Sequence, residues 1–132
     1  MNLNEITVGD VLTKMDEDVF ATDSFWGKGN FYHPGDKKFC LVGGMAHAIA
    51  LLLGEPVSFR HILACEPRVW LDTCDFLKRV IMGAQFTQLS YVRKDSVSSM
   101  GVITYFNDCP RTTFEEVKTI LGKARAELGA FA

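Results

Sequence analysis

Cys40 stands at the head of an apolar run, Leu41 to Leu53, in which two glycines, Gly43 and Gly44, follow one turn later. A cysteine at a helix N-terminus has its thiolate stabilised by the macrodipole and by the unpaired N–H groups of the first turn, which makes Cys40 the best-suited nucleophile in the chain. A nucleophile needs a base. His47 shares nearly the same helix face, but its place in the sequence puts it about 10 Å along the axis, whereas a base must come within about 3 Å. His33, just across a turn, or His61, from another element, would have to fold back onto Cys40, with Asp108 or Asn107 orienting the imidazole as in thiol hydrolases. The enzymatic reading is therefore a thiol-dependent hydrolase built on Cys40, His33 and Asp108. The competing reading, a buried cysteine beside close-packed glycines with histidines at the surface, suits these residue types better, because no complete catalytic constellation is written in the sequence.

Other chemistries are less well supported. Asn107-Asp108 reads as a turn and cap whose side chains bond nearby backbone N–H groups. His61 and Cys65 are spaced to share a helix face, yet no second closely spaced ligand pair accompanies them, so no metal is expected. The glycines at 27, 29, 43 and 44 do not follow a strand and open a helix in the manner of a phosphate loop, and no cofactor is implied. The aromatic cluster Phe25, Trp26, Phe31 and Tyr32 suits a minicore that holds a loop down; where exposed, such rings anchor a partner. The candidate binding residues are accordingly Trp26, Tyr32, Asn107 and Asp108.

With 132 residues and 48% hydrophobic content, the chain is expected to form one globular domain over residues 1–132 with one core. A formal net charge of -2 gives no electrostatic case for nucleic acid, and Arg68, Lys78, Arg79, Arg93 and Lys94 form only a loose scatter. The N-terminal segment MNLNEITVGD lacks a cationic start and an apolar core, so a cytoplasmic protein is expected. The longest apolar run falls short of the ~20 residues a bilayer needs. Cys40, Cys65, Cys74 and Cys109 are widely spaced and are expected as free thiols.

The elements that must position these residues are mostly helical. Thr7 and Asp10 form a capping pair ahead of Val11, Leu12 and Met15, which predicts a short first helix before the acidic Asp16-Glu17-Asp18. Residues 21–36 break into aromatics, glycines and turn formers and read as a loop or as an irregular hairpin that turns at Pro34-Gly35-Asp36 and returns through Lys37 to Phe39. The Leu41 to Leu53 helix is apolar nearly all round, which predicts a central position, and it stops at Gly54 before Pro56. Phe59 to Ala64 adds a further helical turn. Pro67 to Met82 is an amphipathic helix that buries Trp70, Cys74, Leu77, Val80 and Ile81, with Arg68/Asp72 and Asp75/Arg79 at i,i+4. Residues 85–100 leave helix and strand both open. Met100 to Phe106 is rich in β-branched and aromatic residues and reads as an extended segment, followed by a turn at Asn107-Asp108-Cys109-Pro110. Thr113 and Glu116 form a capping box for a last helix running to about Leu128.

Three landmarks then stand in order: Trp26-Gly27-Lys28-Gly29, Cys40-Leu41-Val42-Gly43-Gly44, and Phe106-Asn107-Asp108-Cys109-Pro110 leading into Thr113-x-x-Glu116-Val117. Together they resemble the uncharacterised domain-of-unknown-function family 6197 of actinobacteria and their phages, with its pattern W-x-x-G, C-L-x-G-A and W-N-D-x-P-G-R-T-x-x-E-V. Phe106 stands where that pattern has Trp, Gly44 where it has Ala, and Arg111-Thr112 where it has Gly-Arg. The resemblance implies a mostly helical domain with a phage or bacterial accessory role and supplies no catalytic residues. The expectation is a mainly α fold, a small bundle around a central helix with minor extended pieces near 30–39 and 101–106. Its function is expected to be interaction with a host or phage protein.

Overall fold

The computed structural model describes residues 1–54, 56–84, 86, 89 and 98–130. The fold is mainly α: α1 (Val8–Lys14), α2 (Leu41–Leu53), α3 (Phe59–Cys65), α4 (Arg68–Gly83), α5 (Ser99–Asp108) and α6 (Phe114–Ala130), with one two-stranded hairpin, β1 (Tyr32–His33) and β2 (Lys38–Phe39). Most of the 85–100 segment, open between helix and strand, lies outside the described residues, as do the basic Arg93 and Lys94.

α1 opens on the reciprocal capping box read from the sequence: Asp10 N donates to Thr7 Oγ1 and Thr7 N donates to Asp10 Oδ2, both at 3.0 Å. The helix does not end at Lys14 but widens into a π-turn over Met15–Val19, closed by Phe20 N donating to the Met15 carbonyl at 2.8 Å. That wide turn points Met15, Val19 and Phe20 into the core and Asp16 toward α6. There Arg125 Nη1 reaches Asp16 Oδ2 at 2.8 Å and Lys118 Nζ lies 2.5 Å from Asp16 Oδ1, while Arg125 Nη2 also holds Glu17 at 3.2 Å. Burial by itself would raise the Asp16 carboxyl, but the hydrogen bonds and charges of Lys118 and Arg125 outweigh it and hold it below the usual carboxylate range. The acidic cluster that follows the first helix is thus a strap onto the last one.

α2 occupies the centre, as its all-round apolar sequence predicts, with Leu41 to Ala46 and Ala48 to Ala50 buried. Its chain stops at Gly54, where φ is 81°. The two glycines of its first turn are contact points. A Cβ on Gly43 would overlap the Phe31 backbone carbonyl, and one on Gly44 would overlap the ring of Phe20. The hairpin pairs Tyr32 with Phe39 and His33 with Lys38 in antiparallel register, and Lys37 takes the left-handed turn position with φ 56°.

α4 is preceded by Pro67 as its N-cap rather than beginning at it, and it buries the predicted face. Arg68 pairs with Asp72 at 3.1 Å, while Asp75 accepts from Ser99 Oγ instead of pairing with Arg79, whose guanidinium lies over the Phe76 ring. The extended piece expected over 101–106 is a helix. In α5, Val102, Ile103, Phe106 and Asn107 face inward at helical spacing, and burial of that stripe overrides the strand preference of the β-branched residues. Consequently Asn107 and Asp108 form its last turn, and the tight turn begins at Cys109, with Thr112 N donating to the Cys109 carbonyl. α6 keeps its predicted capping box but continues through Gly129 to Ala130, since a single helical glycine costs only about 1 kcal/mol.

Gly43→Ala and Gly44→Ala each raise helix propensity, yet both are expected to destabilise the fold in urea unfolding. At Gly43 a backbone carbonyl must move, with a loss of about 3 kcal/mol; at Gly44 the Phe20 ring tilts, with a loss of about 1–3 kcal/mol. An unchanged midpoint for Gly43→Ala would contradict the close approach of residue 31.

Candidate functional site

The three sequence landmarks meet at the side chain of Asn107, which is completely buried. Asn107 Oδ1 accepts from Trp26 Nε1 at 2.7 Å and from the Leu41 backbone N–H at 3.0 Å. Its Nδ2 donates to the Gly27 carbonyl at 3.0 Å and to Asp108 Oδ1 at 2.9 Å. Two acceptances and two donations fill the hydrogen-bonding capacity of a primary amide, and they fix its orientation, because the flipped amide would face donors with donors. One of the accepted donors, Leu41 N–H, is an orphan of the first turn of α2.

Around this clamp the residue 26–29 loop is sewn to the end of α5. Asp108 Oδ1 also accepts from Gly29 N at 2.9 Å, and Lys28 Nζ donates to the Cys109 and Thr112 carbonyls at 2.7 and 2.9 Å. Gly27 N donates to Phe39 O at 2.9 Å, which joins the loop to the hairpin. His33 Nε2 donates to the Lys28 carbonyl at 2.8 Å, so that nitrogen carries a proton and is not free to act as a base.

Cys40 is the N-cap of α2, and its Sγ accepts from Gly43 N at 3.4 Å. The thiol is buried, and burial pushes it up from its ordinary range; the backbone N–H groups of Gly43 and Val42 work the other way, and the charge of Asp108 adds to the rise. Cys40 and Asp108 do share the lining of a cavity of about 210 Å³, together with Phe31, Met100 and Thr104. No histidine is among the residues lining it. His47 stacks on Phe39 at 4.5 Å between centroids, and burial holds it below the ordinary histidine range. The structure thus brings Trp26, Asn107, Asp108 and the Cys40 cap together but engages His33 with a backbone carbonyl.

The aromatic residues divide. Trp26 is half-buried, with its ring 6.2 Å from that of Phe114 and the Lys28 ammonium 5.3 Å above it. Tyr32 stands apart from the Asn107 clamp in a stack with Phe39 at 4.6 Å and Phe59 at 5.5 Å. Phe25 and Phe31 are the exposed members of the cluster.

Beside the small cavity opens a wider groove of about 590 Å³ over the outer face of α5, lined by Ser98, Met100, Gly101, Thr104, Tyr105, Asp108, Cys109 and Pro110. The two adjoin, sharing Met100, Thr104 and Asp108 in their linings. Met100, Thr104, Tyr105 and Pro110 were not visible as site residues in the sequence, because a strand reading of 100–106 scatters them over two faces. A helical reading places 100, 101, 104, 105 and 108 on one face. A larger depression, about 1030 Å³ between α1 and α6, carries charges that satisfy one another, Lys14 with Asp18 and Arg125 with Glu17, and holds none of the chemistry-bearing residues. Among the described residues no His/Cys/Asp/Glu cluster has the geometry of a metal site, and no helix is long and apolar enough to cross a membrane.

A family model described as a family of unknown function, DUF6197, matches residues 4–127, a span that includes all three landmarks. No curated protein and no solved structure matches the chain.

Asn107→Ala would leave the Trp26 indole N–H, the Leu41 N–H and the Gly27 carbonyl without their partner, and a loss of about 3 kcal/mol or more is expected in thermal or urea unfolding. Alkylation by iodoacetamide at neutral pH is expected to follow exposure: Cys65 first, Cys109 next, and Cys40 and Cys74 only at the rate of unfolding. Burial pushes Cys74 up to about 12, so it serves as the internal standard for an unreactive thiol. Rapid, stoichiometric modification of Cys40 in the folded protein would restore the nucleophile reading.

Proposed function

Because the chain belongs to the family of unknown function DUF6197, we propose, beyond that membership, that it acts by binding a partner protein through the groove over α5. The observation that carries this reading is the gathering of exposed apolar side chains there: Met100 is 37% and Tyr105 44% exposed along the groove, and Phe31, 44% exposed, lines the adjoining recess that shares Asp108 with it. Large apolar groups gathered in water beside one carboxylate mark a recognition surface more than a solvated face. In this reading Asp108 touches the partner, while Trp26 and Asn107 position it from beneath through the amide clamp. Tyr32 supports the hairpin beside the groove. An accessory role in a phage or its bacterial host, with a host or phage protein as the partner, follows from the family resemblance of the three landmarks. A cytoplasmic setting accords with the unpaired thiols.

The thiol-hydrolase alternative has less support, since Cys40 is buried, its pKa is raised, and His33 is engaged with Lys28.

The groove is tested by a photo-cross-linking residue, benzoylphenylalanine, placed at position 105 and, as a control, at the exposed position 123 on α6. In cells of the host a discrete adduct is expected from position 105 alone, and it should disappear when Met100→Glu is added. Identical adduct patterns from 105 and 123 would remove the groove from consideration.

A further inference from the structure

The groove over α5 has one ionic group in its described lining, Asp108, and no ion pair between described residues reaches it. Asp108 Oδ1 is held by Gly29 N and Asn107 Nδ2, both neutral donors, while Oδ2 takes no hydrogen bond among the described residues. None of the ion pairs formed by the described residues includes Asp108. Lys28, the nearest basic residue in the loop, spends its ammonium on the Cys109 and Thr112 carbonyls. The carboxylate therefore sits half-buried at the shared wall of the two cavities, oriented by a fully bonded amide and, among the described residues, held by neutral donors alone. A pre-oriented anion with a vacant oxygen in a partly desolvated recess attracts a cation more strongly than one in bulk water.

The surroundings select what kind of cation fits. The 210 Å³ recess is walled by Phe31, Met100 and Thr104, apolar surface suited to an aliphatic stem, and the exposed Phe31 ring offers a face for cation–π contact. A hydrated inorganic ion gains nothing from such walls. The wider 590 Å³ part, bordered by Tyr105 and Pro110, has room for a neighbouring apolar side chain. Resting on the groove reading above, we infer that the occupant is a partner-protein segment that presents a basic side chain to Asp108 beside an apolar side chain packed on Met100 and Tyr105.

The probe is acetyl-Leu-Arg-Leu-amide, compared with the same peptide in which citrulline, the neutral isostere, replaces arginine. Binding is read from the backbone amide resonances of Gly29, which bonds to Asp108, and of Gly101, which lies in the groove. Saturable shifts at both glycines are expected from the arginine peptide, with the citrulline peptide at least tenfold weaker. Asp108→Asn keeps an oxygen to accept from Gly29 and Asn107 and so preserves the clamp; in that variant the two peptides should bind alike, at the weaker level. Equal binding of the two peptides to the parent protein would overturn the basic-residue inference and leave the groove reading intact. Absence of any shift at Gly101 while position 105 still cross-links would overturn the inference alone, and absence of both would remove both readings.

Discussion

The arrangement depends on a single buried amide. Asn107 has no access to water, and a polar group so placed must find its partners within the protein or cost about 1–3 kcal/mol for each bond left unmade. Its four bonds reach Trp26, Gly27, Leu41 and Asp108, so satisfying one side chain fixes the approach of the 26–29 loop, the start of the central helix and the end of α5 together. Apolar packing alone would not specify these positions, because hydrophobic contact is non-directional. The amide adds direction, and the carboxylate next to it inherits that direction.

The clamp in turn requires the chain to pass very close to α2. Gly43 admits the Phe31 carbonyl and Gly44 admits the Phe20 ring, one from the loop that precedes the hairpin and the other from the π-turn that ends the first helical segment. At Gly44 the space a methyl would fill is taken by Phe20. The π-turn that delivers Phe20 is anchored by Asp16 to Lys118 and Arg125, and Lys118 also donates to the Asp16 and Phe20 carbonyls. The two glycine notches and the ionic strap therefore form one chain of dependence from α6 through the π-turn to the head of α2.

Much of this architecture is legible in the residues, and the parts that are not have a common cause. Helices marked by local signals read correctly: the Thr7–Asp10 and Thr113–Glu116 capping boxes, the Gly54 stop, and the apolar run of α2 are short-range features whose physics acts within a few residues. The close approach at Gly43 and Gly44 is also signalled, because adjacent glycines in a buried helix have little other use. Met100–Phe106 misleads because strand propensity and helical periodicity conflict there, and the conflict is resolved by what the inward stripe of Val102, Ile103 and Phe106 packs against. That misreading hides the groove. The Asn107 clamp is invisible for a different reason: its partners Trp26 and Leu41 lie 81 and 66 residues away, and no local pattern distinguishes an asparagine that closes a turn from one that joins three segments.

Burial, with the charge of Asp108 added to it, weighs against the thiol chemistry that Cys40 suggests. A helix N-terminus favours a thiolate by about 0.3–1 kcal/mol, less than the 1.36 kcal/mol that corresponds to one pKa unit. Against this small gain stand the burial of Cys40 and the nearby carboxylate of Asp108, both of which favour the neutral thiol, and the balance falls on the side of the thiol. A catalytic cysteine needs a positive neighbour, and here the neighbour is negative. Burial, the larger cause, disfavours a charge of either sign at the thiol, whereas the smaller contribution, the Asp108 carboxylate, opposes a thiolate in particular. The geometry of the clamp holds Asp108 at the wall shared by the recess and the groove, where its charge adds to the burial that keeps the Cys40 thiol neutral.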